Sequence, residues 1–209
     1  MRNACARLRA MVDDLEQNDN VTVLEVEMAS PASREDIEAA TGLAGGALPA
    51  GVADFYAELN GFNLEWRHTV AEVSQGNLAD HGFVNILPID EVFGDWEGVT
   101  WFGDSDDADN EYRPVKPFDM FVPEACAAFW QPPGKRPRRT VAYHYFGDEL
   151  YDTGYAFDEY LERLLAARGF WYWIHTLCPD LQDSTEATGF RRAMPLIFDD
   201  YDDRLFQPK

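Results

Sequence analysis

The stretch VADFYAELNGFNLEWRHTV, Val52 to Val70, changes its apolar period half-way along. Val52, Phe55, Tyr56 and Leu59 stand at offsets 0, 3, 4 and 7, the spacing of one helix face. Asn60-Gly61 closes that face, because both residues tolerate the left-handed conformation of a helix C-cap. Beyond it Leu64, Trp66, His68 and Val70 alternate, which predicts a strand. Helices on one side of this change, several short strands beyond it and helices again after them read as α+β.

Towards the N-terminus, Leu8, Met11, Val12 and Leu15 repeat the helical spacing, and Val21 to Met28 reads as a strand. Ser33 ahead of Arg34, Glu35 and Asp36 predicts an N-cap with an acidic first turn, for a helix that Gly42 stops. GLAGGALPAG is a turn or linker, and no Lys-Ser or Lys-Thr follows its glycines, so it is not a phosphate loop. Towards the C-terminus, Phe83–Leu87, Phe118–Val122 and Arg139–Phe146 are further strand candidates, and Ile89–Phe93 is a helical turn. Residues 94–117 read as an irregular acidic excursion. Phe157, Tyr160, Leu161, Leu164 and Leu165 form the cleanest amphipathic helix. Phe170–Leu177 fits a helix or a buried strand, and Thr185–Met194 fits a short helix.

The chain has 209 residues, the size of one domain, and 46% of them are hydrophobic, with six Trp, nine Tyr and 14 Phe. Its 38 acidic and 17 basic residues give a formal net charge of −21. Phosphate backbones and anionic lipid surfaces repel such a chain, so the expected partner is neither nucleic acid nor membrane. Cys5, Cys126 and Cys178 are odd in number and far apart, as suits a reducing compartment. MRNACARLRAMVDDLEQ lacks the apolar run of a signal peptide, and the expected location is cytoplasmic.

Catalytic and metal patterns fail on inspection. His175 and Cys178 supply at most half of a zinc site. An EF-hand loop counted from Asp104 has Asp109 where glycine is needed and Val115 where glutamate is needed. Ser105 lacks the second glycine of a nucleophile elbow, since Asp107 occupies that place. The expectation is no catalytic residue, no metal and no cofactor. What stands out is Asp90 to Glu111, with nine acids, no Lys or Arg, and Phe93, Trp96, Trp101 and Phe102 among them. Two readings stay open. Either the aromatics anchor a partner that the acids steer, or they are core and the acids are their solvated flank. On the first reading the partner-binding residues are Asp95, Trp96, Glu97, Trp101, Asp104, Asp106, Asp107, Asp109 and Glu111. The basic run Lys135 to Arg139 is expected in a hairpin loop, paired with the protein's own acids.

Leu48-Pro49, Phe55-Tyr56 and Asn60-Gly61 resemble the signature of the SUKH superfamily, which includes Syd-like proteins, yeast cell-wall-assembly regulators and bacterial immunity proteins. Ile86-Leu87-Pro88-Ile89 with Glu91-Val92-Phe93 is similar to its mid-domain strand and turn, and Tyr155 to Leu165 to its closing helix. The resemblance spans roughly residues 20–170. The acidic insert near 95–117 and the tail beyond 170 lie outside it. It implies an α+β domain, a curved, mostly antiparallel sheet with helices packed around it; the expected organisation is one domain over 1–209, with an N-terminal helix and a C-terminal extension, 171–209, packed on that core. It further implies a non-catalytic immunity protein that binds a cognate secreted toxin, nuclease-like or otherwise acting on nucleic acid or nucleotides and expected to carry a basic surface; whether the protein is a monomer or a weak dimer stays open. The alternative is a regulatory or scaffold module for an endogenous partner.

Overall fold

A computed structural model describes residues 3–75, 78–103, 111–146 and 149–209. Seven strands form one open antiparallel sheet whose spatial order is their chain order. They are β1 (Val21–Met28), β2 (Phe62–His68), β3 (His81–Ile86), β4 (Val115–Val122), β5 (Ala125–Trp130), β6 (Thr140–Tyr145) and β7 (Leu150–Ala156). Seven α-helices accompany them among the described residues: α1 (Ala4–Glu16), α2 (Arg34–Leu43), α3 (Val52–Tyr56), α4 (Ala71–Gln75), α5 (Ile89–Val92), α6 (Phe157–Ala167) and α7 (Thr185–Ile197). The fold is α+β, as the order of helices, short strands and helices along the chain predicts.

Two strands escaped the sequence reading. In β5, Ala-Cys-Ala-Ala-Phe is buried on both faces, so no polar alternation marks it. In β7, Asp152 and Gly154 look like turn residues, and Gly154 does take a positive φ. Phe170–Leu177 is neither of the two elements expected of it. Phe170 makes one bridge to Gly82, and Trp173–Leu177 is a short 3-10 helix.

The helical residues chosen by periodicity are the ones that pack. Leu8, Met11, Val12 and Leu15 of α1 and Phe157, Tyr160, Leu161 and Leu164 of α6 are all buried. Ser33 caps α2 as expected: its hydroxyl accepts from the Asp36 amide, and the Asp36 carboxylate accepts from the Ser33 amide. At the core centre Phe118 meets Phe129 at 4.7 Å, Tyr160 at 5.2 Å and Phe157 at 5.3 Å between ring centroids. Edge and offset contacts of this kind add about 0.5–1.5 kcal/mol each beyond their buried area. Residues of α1 and of the 171–209 extension belong to the same continuous buried cluster, which Phe190, Met194, Phe198 and Phe206 complete.

The Tyr56 and Asn60 pair works as a clasp. The Tyr56 hydroxyl donates to the Leu87 carbonyl at 2.9 Å, and Asn60 Oδ1 accepts from the Ile89 amide at 2.8 Å. Together they tie the end of α3 to the junction between β3 and α5.

Candidate functional site

The sheet is not evenly zipped. β3 and β4 share a single register pair, Ile86 with Asp119, and a hydrogen bond from the Leu87 amide to the Phe118 carbonyl. Below that point the chain after α6 enters beside β3. The Phe83 amide donates to the Gly169 carbonyl at 2.8 Å, and the Trp171 amide donates to the His81 carbonyl at 3.1 Å. Two glycines permit this. Gly82 leaves room for the Trp66 indole, whose Nε1 would lie 2.3 Å from an added Cβ and which donates to the Arg168 carbonyl. Gly169 has φ +66°, and a Cβ there would meet Val84 Cγ2 at 2.3 Å.

Asp119 stands where the strands part. Its carboxylate accepts from the Asn85 amide at 2.9 Å and from the Tyr160 hydroxyl at 2.7 Å, so it serves a strand amide that no neighbouring strand reaches. Complete burial pushes its pKa up to about 6, although both hydrogen bonds favour the charged form.

The splayed strands leave a trench of about 440 Å³ on the solvent face of the sheet. Phe83, Met120, Phe121 and Trp171 give it an apolar lining, and Glu65, Arg67, His81 and Asn85 stand on its β2–β3 side. The Trp171 and His81 rings lie 4.3 Å apart, and His81 Nδ1 is 2.8 Å from the Asp80 carboxylate. The sequence reading missed this site, whose residues come from four separate segments.

The acidic block forms a different surface. Trp96 to Trp101 is a tight turn: the Gly98 amide donates to the Trp101 carbonyl, and the Val99 and Thr100 amides donate to the Trp96 carbonyl. Trp101 is 1% exposed and lies under the Arg113 guanidinium, 4.6 Å from its ring centroid. Its Nε1 has no hydrogen-bond partner among the described residues. Trp96 is half-buried, packs on the core and donates to the Val92 carbonyl. Of the expected anchors, Trp101 is therefore corrected to a core residue of the turn, because Arg113 and the turn itself cover it. The exposed aromatic is its neighbour Phe102, at 69%, with Val99 also at the surface. Asp95, Glu97 and Glu111 are exposed. Asp104, Asp106, Asp107 and Asp109 lie outside the described residues. The returning strand brings cations that the block itself lacks. Lys116 Nζ donates to the Gly94 carbonyl at 2.7 Å, and burial lowers its pKa while Asp95 opposes that shift.

The basic run lies in the hairpin loop between β5 and β6, as expected, but its expected pairing with the protein's own acids is corrected. Among the described residues Lys135, Arg136, Arg138 and Arg139 make no ion pair, and Arg138 lies over the Trp130 ring at 5.4 Å.

Among the described residues, no group of three His, Cys, Asp or Glu side chains is placed to hold a metal ion. The three cysteines are free, and no helix is long and apolar enough to cross a membrane. His175 Nδ1 meets the Ser184 hydroxyl at 3.1 Å and Glu186 at 3.7 Å. The same Ser184 oxygen accepts from the Ala187 amide as the cap of α7, and burial holds His175 down at about 4. Serine and glutamate share one ring nitrogen, so the group lacks the relay order of a nucleophilic triad. No model of a known protein family matches the chain, and no curated protein matches it.

Proposed function

We propose that the protein is a non-catalytic immunity protein, which binds and neutralises a cognate secreted toxin domain through its acidic surface. The observation that carries this reading is the exposed Phe102, with Val99 beside it, on the turn that also presents Asp95 and Glu97 in a chain of net charge −21. An exposed aromatic beside exposed carboxylates suits a basic partner: the ring loses water on contact, and the carboxylates speed and orient the encounter. A toxin surface that grips nucleic acid or nucleotides is basic, and this surface is its electrostatic complement.

The test is co-purification with the product of the gene directly upstream, followed by assay of that product's activity. The expected outcome is a stoichiometric complex in which the toxic activity is lost, with an association rate that falls as salt rises. A partner from elsewhere in the cell, bound without loss of any toxic activity, would replace this reading with that of a regulatory module.

A further inference from the structure

We propose that the trench on the solvent face of the sheet docks an extended cationic segment of a partner protein, one with Lys or Arg side chains around a bulky apolar anchor. The proposal rests on the preceding reading for the sign of the partner's charge and assigns the contact to a second face.

Glu25 of β1 stands directly opposite Glu65 of β2, and Glu27 stands opposite Asn63. Like charges directly opposed across strands are destabilising, so this pairing costs stability that the fold retains. Glu25, Glu27 and Glu65 make no ion pair or side-chain hydrogen bond among the described residues, and Asn63 Oδ1 is a buried acceptor without a partner. Asn63 in turn faces Asn85 of β3, and past Asn85 the trench continues into a smaller hollow of about 160 Å³ bordered by Glu27. The face thus offers a row of acceptors beside an apolar slot. Arg67 stands at the far end of the same column, next to His81 and Asp80.

The slot has the size that a bulky side chain needs. A volume of about 440 Å³ lined by Phe83, Met120, Phe121 and Trp171 accepts an indole or a leucine with its backbone. An extended segment laid along β2 and β3 would turn its anchor into the slot and its flanking Lys or Arg residues to the other side, from where their long side chains can fold back to the glutamates at the slot's edge. The cations would pair with Glu25 and Glu65, which have no ion-pair partner among the described residues.

The test titrates full-length protein with the capped peptide KLKWKLK and follows backbone amides by NMR. Shifts centred on Asn63, Glu65, Phe83 and Asn85 are expected. Neutralising the row with Glu25→Gln and Glu65→Gln should weaken binding about fivefold, whereas Glu35→Gln with Asp54→Asn, two exposed acids elsewhere, should change it less than twofold. The peptide KLKSKLK, without the anchor, should bind about tenfold more weakly, a comparison that needs no variant to fold. Equal effects of the two charge pairs, or shifts confined to residues 95–103, overturn the proposal. So does movement of the trench amides with protein concentration alone, which would mean a second copy sits there. Failure here is separable from failure of the immunity reading: a toxin bound equally by the wild type and by the Glu25→Gln, Glu65→Gln variant keeps that reading and removes the trench.

Discussion

The turn at Trp96–Trp101 and the trench between β3 and β4 are built in opposite ways. The turn is contiguous in sequence, acidic and marked by aromatics, yet its most conspicuous residue, Trp101, is folded inward beneath Arg113. The trench gathers residues from Glu65 to Trp171, none of them conspicuous, and leaves an apolar slot open to water. The difference teaches that a dense run of signal in sequence marks where a surface lies but not which of its side chains face out. An open slot is set by where strands part, and Gly82, Asp119 and Gly169 decide that.

The largest expected effect is on the parting itself. Gly169→Ala places a Cβ 2.3 Å from Val84 Cγ2 and 3.0 Å from the Phe83 carbonyl oxygen, at a positive φ. Strain and overpacking together should cost about 3–5 kcal/mol and lower Tm by roughly 10 °C or more. A thermal melt within two degrees of wild type would mean the insertion beside β3 is not a fixed part of the fold.

Next in size is the contrast within the turn. Trp101→Ala should cost about 3 kcal/mol of stability, because it empties a buried site. Phe102→Ala should lower Tm less than Trp101→Ala does and instead raise the dissociation rate of the proposed toxin partner, with a loss of about 2 kcal/mol in binding. Melts and binding kinetics on the same two variants check this. If Trp101→Ala is thermally silent and Phe102→Ala unfolds the protein, inward and outward have been assigned the wrong way round.

The helices were legible because their apolar offsets are local: Leu8 to Leu15 and Phe157 to Leu164 carry their own period and are buried as the spacing requires, while Leu165 at the end of the second face is half-buried. Strand β1 was legible for the same reason, β-branched and bounded by Asn18-Asp19-Asn20. Strand β5 was not, because burial on both faces erases the alternation that identifies a strand. The charge of the candidate surface was readable from composition. The exchange of Trp101 for Phe102 was not, since it depends on Arg113, which lies just beyond the acidic run. Asp119 could not be singled out among 38 acids, because its role comes from burial and from an unpaired strand amide.

Asp119 allows the parting point to be titrated. Its folded pKa of about 6 lies above the unfolded value, so between about pH 4 and 6 the folded state binds more protons. Its contribution therefore becomes more favourable as pH falls through 6 towards 4, and above 6 it is a standing cost. His175 opposes it. With its pKa depressed to about 4, its contribution is present above 6.5 and lost as pH falls towards 4. Asp119→Asn keeps an acceptor for the Asn85 amide and removes the titration. Relative to wild type, the variant should gain about 1–3 kcal/mol at pH 7, and the gain should vanish near pH 4. Denaturant melts at both pH values check this, and a difference that grows on acidification would show that the ionised carboxylate stabilises the clasp between β3 and α6.

The smallest effect separates the two surfaces by charge alone. Glu97 and Glu111 are exposed on the turn side, and Glu25 and Glu65 flank the trench. Glu97→Lys with Glu111→Lys should slow toxin association severalfold at low salt, leave dissociation nearly unchanged, and lose most of the effect near 0.5 M salt, because exposed charges each contribute about 0–1 kcal/mol and are screened within a Debye length. The paired change at Glu25 and Glu65 should act on dissociation as well, since a cation seated between two opposed carboxylates stays there in the complex. It should also leave the free protein slightly more stable, because it relieves a cross-strand repulsion. Measuring both rate constants at two salt concentrations for the two pairs distinguishes steering from docking. If both pairs change only the association rate, the two regions act as one diffuse field and the trench holds no part of the partner.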